Sequence, residues 1–117
     1  ALLGHSYEMA QGSGCTIHLR AQDIPYHGEA YEMAEMGFIP AGAYRNRDYA
    51  QAGVKVVGDV SRAMEDICYD PQTSGGLLIA LPQRCAQECL ERMRQVIPQA
   101  AAIGYVTPQE EAAVVLE

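Results

Sequence analysis

Cysteine pairs at metal-binding spacing are missing from this 117-residue chain. Its four cysteines, Cys15, Cys68, Cys85 and Cys89, include no Cys-x-x-Cys. A zinc site would need more ligands at closer spacing, and His5, His18 and His27 add no cluster. Free, mostly buried thiols in a reducing compartment are the expected state. No apolar run approaches the ~18 residues that span a bilayer, and no signal-peptide pattern is visible. Basic residues are scarce: 8 Lys and Arg stand against 15 Asp and Glu, for a formal charge of −7. That balance argues against nucleic acid, whose backbone is held by concentrated Lys and Arg. It also means that a polyphosphate would need magnesium and local donors to offset repulsion. There is no internal repeat, low-complexity tract or domain linker.

What is present fits one domain over residues 1–117. The length is close to the commonest domain size, and apolar residues at 49% with charged residues at 20% are ordinary for a globular chain. Residues 2–12 have helical spacing, with Leu3, Tyr7 and Ala10 on one face, stopped by Gly12 and Gly14. Cys15 to Arg20 alternates and reads as a strand. A second helix is expected over about 27–36, capped by Gly37, followed by a long irregular loop from Ile39-Pro40-Ala41-Gly42 onward. Val54 to Val57 reads as a short strand. Residues 59–68 read as a helix opening at Asp59 or Ser61, with Glu65 near a capping-box position.

The second half has stronger patterning. Gly76 to Leu81 is a near-continuous apolar run, expected to be a strand covered on both faces. Pro82 ends it. Gln83 to Val96 is then the best-defined helix, with Cys85, Ala86, Cys89, Leu90, Met93 and Ile97 at helical spacing and Glu88 and Arg92 forming an i, i+4 pair. After Pro98, Ala101 to Val106 reads as a strand with Gly104 inside it, and Val114 to Leu116 as an added edge strand. These elements predict an α/β (α+β) fold, a mixed β-sheet layered with helices. Met9, Met33, Met36, Met64 and Met93 read as core fillers. His5, near the start of the first helix, reads as a packing or capping group, with an interdomain role as the sharper alternative.

The most informative stretch is Asp70-Pro71-Gln72-Thr73-Ser74-Gly75-Gly76, which leads directly into Leu77-Leu78-Ile79-Ala80-Leu81. A stiff turn, two hydroxyls and two glycines expose backbone N–H groups with no bulk to keep a ligand away. Thr73, Ser74, Gly75 and Gly76 are therefore phosphate-binding candidates. Gln72 either orients substrate or bonds a backbone group, and Asp70 starts the turn. Arg45 and Arg47 flank Asn46, with Arg20 as a further cation, and guanidinium forks suit phosphate oxygens. Arg45 and Asn46 complete the candidate set.

This heptapeptide resembles the Asp-Pro-Gln-Thr-Ser-Gly-Gly segment of selenophosphate synthetases (selenide, water dikinases). Two further stretches resemble the family in the same order. Leu2-Leu3-Gly4-His5 with Glu8-Met9-Ala10 is similar to the opening of the family's C-terminal domain. Gly37-Phe38-Ile39-Pro40-Ala41-Gly42-Ala43-Tyr44-Arg45-Asn46-Arg47 is similar to its Ile-Pro-Gly-Gly-Thr-x-Arg-Asn segment, with Ala41 and Tyr44 as departures. The resemblance runs from residue 2 to about residue 106.

The resemblance implies a fold and an activity beyond what the pattern of residues carries. The fold is the C-terminal domain shared by aminoimidazole ribonucleotide synthetase-like proteins. The activity is formation of selenophosphate, AMP and phosphate from ATP, selenide and water, by a cytoplasmic, homodimeric enzyme. The family's reactive Cys or selenocysteine, its Lys and the Asp residues that hold Mg2+ around ATP lie in a first domain, none of which matches residues here. Cys15, on a strand, does not take the nucleophile's role. The chain is thus expected to be one domain of a larger enzyme and inactive alone, with its own N-terminal domain as partner and no catalytic or metal-ligating residue. The alternatives are a sibling ATP-dependent enzyme (aminoimidazole ribonucleotide synthetase, thiamine monophosphate kinase or hydrogenase maturation factor type) and a non-catalytic dimerisation module.

Overall fold

A computed structural model describes residues 1–117. The first helix, α1 (Leu2–Ser13), ends at Gly14, whose φ of 63° is the left-handed cap that glycine adopts without strain. Its neighbours are β1 (Cys15–Leu19), α2 (Gly28–Glu35), α3 (Ala41–Ala50), β2 (Val54–Val56) and α4 (Arg62–Cys68). The chain continues through α5 (Gln83–Val96), β3 (Gly104–Pro108) and β4 (Val114–Leu116). Short 3-10 turns at Ala21–Asp23 and Gln51–Gly53 connect elements.

The four strands form one mixed sheet in the order β2-β4-β1-β3. β1 runs antiparallel to β3 and parallel to β4, and β2 is parallel to β4. Ile17 and Leu19 of β1 share the buried face with Val114 and Leu116 of β4. Helix α1 covers that face and packs on α3, while α2 packs on α4. Leu3, Ala10, Ala43, Ala50, Met64, Cys68 and Tyr69 complete the core. No helix is long and apolar enough to cross a membrane.

The α/β prediction therefore stands, with local corrections. The irregular loop expected after Ile39 is helix α3 over most of its length. Pro40, Gly42 and Asn46 disguised it, yet Ala43, Arg47 and Ala50 are buried at helical spacing. The strand expected over Gly76 to Leu81 does not form: these residues are unpaired, and exposed apart from half-buried Leu78. Helix α5 has the predicted bounds but contains no buried residue. β3 begins at Gly104 instead of running through it, and β4 is an inner strand, not an edge, because it pairs with β1 on one side and β2 on the other. Met64 lies in the core, whereas Met33 and Met36 are exposed. Helix α4 is capped by Ser61, whose Oγ accepts the Met64 amide hydrogen at 3.1 Å.

Candidate functional site

The Asp70–Gly76 turn is mounted on the α3–α4 pair. Arg47 of α3 is buried and donates to Glu65 and Asp66 of α4, and Arg62 Nε donates to Asp66 Oδ1 at 3.2 Å. The Arg47 guanidinium also lies 4.6 Å from the centre of the Tyr69 ring, a cation–π distance. Burial disfavours the Arg47 charge, but Glu65 and Asp66 outweigh it and hold its pKa above the ordinary value. Burial pushes the Tyr69 hydroxyl up to about 12 and, with the Glu65 charge, the Cys68 thiol up to about 12. The end of α4 is thus a desolvated anchor for the turn that follows.

Asn46 extends the anchor by donating its Nδ2 hydrogen to the Tyr69 carbonyl at 2.9 Å. The Asp70 amide donates to Ile67 at 3.0 Å and the Gln72 amide to Asp70 at 2.9 Å. Pro71 then sits against Gly42. A Cβ at Gly42 would lie 2.7 Å from Pro71 Cγ and 3.6 Å from an Arg45 guanidinium nitrogen. Glycine is needed there because the turn and the Arg45 side chain converge on one point of α3. Gln72 folds back over the turn, since a Cβ at Gly75 would meet its Oε1 at 2.9 Å.

The two sequence segments predicted to share a site are therefore adjacent, but their side chains divide the work. Arg47 and Asn46 are engaged internally, and Arg20 pairs with Asp23 at 2.6 Å. Arg45 is exposed beside the turn, and Thr73, Ser74, Gly75 and Gly76 are exposed with it. None of the amides from Thr73 to Gly76 donates to a backbone carbonyl. The cluster consequently offers two hydroxyls, several free N–H groups and one guanidinium to an anion. His5 is exposed on α1.

Sequence reasoning missed a polar staple on the other face of the sheet. His18 Nε2 meets Glu110 Oε2 at 2.6 Å, and Tyr105 stacks on the imidazole with ring centres 4.6 Å apart. Thr16 Oγ1 accepts the Glu110 amide hydrogen and donates to the Ala112 carbonyl, each at 2.8 Å. Hydrogen bonds from Thr107 and then His18 hold the Glu110 carboxyl below its ordinary pKa. The alternation of Thr16 and His18 along β1 was the available signal; their partners, over 90 positions away for Thr16–Glu110, were not.

No three His, Cys, Asp or Glu side chains come together as a group able to hold a metal ion. All four thiols are free, Cys68 buried and the others half-buried.

Comparison with known proteins places these features in a family. The model of the AIR synthase related protein C-terminal domain matches residues 1–117. The chain is 47% identical over 115 residues to selenide, water dikinase 2 of Peptoclostridium acidaminophilum, covering 97% of this chain and 33% of that protein. It is 45% identical over 111 residues to the selenide, water dikinase of Clostridioides difficile (strain 630), covering 94% of this chain and 32% of the relative. For the selenide, water dikinase of Clostridium botulinum (strain Eklund 17B / Type B) the identity is 42% over 116 residues, with 99% and 34% covered. The chain thus spans about a third of the length of the curated relatives it matches. With its mixed sheet, its helical layer and a match over its full length, the chain belongs to the AIR synthase related family, as a C-terminal domain.

Proposed function

We propose that residues 1–117 are one domain of a cytoplasmic, homodimeric selenide, water dikinase that forms selenophosphate, AMP and phosphate from ATP, selenide and water. The observation that carries this reading is the unbroken Asp70–Gly76 heptapeptide within a chain 40–47% identical to proteins of that name. The domain alone is inactive, and the rest of the parent supplies the nucleophile and most contacts to ATP. The family resemblance assigns the Mg2+ ligands to that remainder as well.

Within the parent, the turn would bind phosphate oxygens at the groove between domains. The hydroxyls of Thr73 and Ser74, the N–H groups of Ser74, Gly75 and Gly76, and the Arg45 guanidinium are the donors. Asn46 holds the turn in place through the Tyr69 carbonyl, and Gln72, folded over Gly75, orients the substrate or bonds a backbone group. Phosphoryl transfer depends on positioning and on stabilising charge at the transferring group, which free N–H and guanidinium donors provide without reorganisation. Exclusion of water protects the selenium nucleophile from competition.

The experiment is phosphorus NMR on the intact parent, incubated anaerobically with ATP, magnesium and selenide, beside its Ser74→Ala variant and this chain alone. A phosphorus–selenium product with AMP is expected from the parent and none from the chain. Ser74→Ala should lower turnover by ~10²-fold with the fold intact, the scale of losing one charge-stabilising donor. Unchanged turnover would make the turn purely structural, and ADP without a selenium product would point to a sibling kinase.

A further inference from the structure

Helix α5 carries a row of sulfur atoms. Cys85, Cys89 and Met93 are spaced i, i+4 and i+8, which on an α-helix sets each side chain one turn above the last on a single face. All three are half-buried, as are Ala86 and Leu90 in the adjoining row. The sulfurs thus line an apolar seam that an ion can still reach. The harder ligands of the helix are engaged elsewhere. Arg92 pairs with Glu88 at 3.1 Å, and Gln87 Nε2 donates to Glu91 Oε1 at 3.3 Å. No third His, Cys, Asp or Glu joins the two thiols, so the donors of this face are sulfur alone.

The pair is arranged to lose its protons to a cation. Side chains on a helix lean toward its N-terminus, which brings Cys89 down on Cys85 and Met93 down on Cys89. Cys85 lies in the first turn of α5, where the helix dipole favours a thiolate. Its Sγ donates to the Pro82 carbonyl at 3.3 Å, a bond that holds the side chain in place and leaves the sulfur lone pairs free. Partial burial, then the charge and hydrogen bond of Cys85, hold the Cys89 thiol above its ordinary pKa, with Arg92 opposing them. Two negative charges side by side are disfavoured. A cation bound between the sulfurs removes that repulsion and takes the place of both protons.

We propose that Cys85, Cys89 and Met93 form a binding site for one soft monovalent cation of the Cu(I) class, held by two thiolates and the Met93 thioether. Thiolate and thioether donors select Cu(I), and three sulfurs leave the four-coordinate shell of a structural Zn2+ incomplete. Binding exchanges two S–H bonds for two S–Cu bonds with no change of oxidation state. One Cu(I) enters, both protons leave to solvent, and the site gains a single negative charge that Arg92 offsets. The site lies outside the Asp70–Gly76 cluster and stands or falls independently of the proposed activity.

Anaerobic titration of the chain with Cu(I), against a coloured Cu(I) chelator of known affinity, reads stoichiometry and affinity together. One ion per chain is expected, with thiolate-to-copper charge-transfer absorption and a sulfur-only shell by X-ray absorption. Cys85→Ser and Cys89→Ser should each weaken binding by more than ~10²-fold, beyond the cost of losing an outer partner. Met93→Leu should weaken it by about tenfold and reduce the shell from three sulfurs to two. Cys15→Ser should leave it unchanged. Alkylation of the unmodified chain, read by mass spectrometry, needs no variant: Cu(I) should shield Cys85 and Cys89 and leave Cys15 open. No uptake against the chelator, binding that survives loss of either thiol, equal labelling of the three half-buried thiols with Cu(I) present, or preference for Zn2+ over Cu(I) would each overturn the proposal.

Discussion

At the residue scale, Arg47 shows how one side chain can serve structure where its type suggests binding. Flanking Asn46 with a second arginine looks like a phosphate fork, but Arg47 is 8% exposed and held by two carboxylates and an aromatic ring. Removing one member of a buried ionic group leaves the others uncompensated, which costs more than the intact group contributes. Arg47→Met should therefore destabilise the chain by about 3 kcal/mol in urea unfolding. Arg45→Met, at an exposed position, should change stability by less than about 0.5 kcal/mol. Equal, small effects for the two variants would refute the assignment of Arg47 as the anchor of the turn. Lys at 47 should not restore stability, because a single ammonium cannot reproduce the two-pronged donation to Glu65 and Asp66.

At the scale of elements, the tightest contact is between β3 and β1. A Cβ at Gly104 would lie 1.9 Å from the His18 carbonyl oxygen and 2.9 Å from its carbon, both backbone atoms that cannot turn aside. Gly104→Ala should cost about 2 kcal/mol or more by thermal unfolding, since overpacking against backbone forces the strand to move. Gly12→Ala is the contrast, because nothing lies within 4 Å of its Cβ position inside α1. It should be neutral or stabilising by about 0.5 kcal/mol through the unfolded chain. Elements whose period and burial agreed were legible beforehand: α1 with Leu3 and Ala10, β1, and α4 opening at Ser61. Misreadings arose where local chemistry and tertiary context diverged. Proline and glycine masked α3. Leu77–Leu81 has strand composition but no partner in the monomer, and apolar composition alone cannot state what will cover it. For the candidate site, the turn was visible as a motif, whereas the engagement of Asn46 and Arg47 depends on α4 residues that only folding brings close.

At the scale of the whole molecule, burial is divided unevenly along the chain. Every buried residue lies between Leu3 and Tyr69 or between Val114 and Leu116. The last strand returns to the middle of the sheet and closes the body, while residues 70–103 make an excursion that contributes nothing fully buried. The radius of gyration, 14.1 Å, accordingly exceeds the roughly 13.4 Å usual for this length. Segments without buried contacts open independently of the global transition, so hydrogen exchange should resolve two classes of amide. Amides of Ile17, Leu19 and Leu116, paired inside the sheet, should exchange last. Those of Leu77–Leu81, which donate to no backbone carbonyl, should exchange at nearly the free-chain rate. Protection comparable to that of the sheet would refute the division of the chain into a buried body and an exposed excursion.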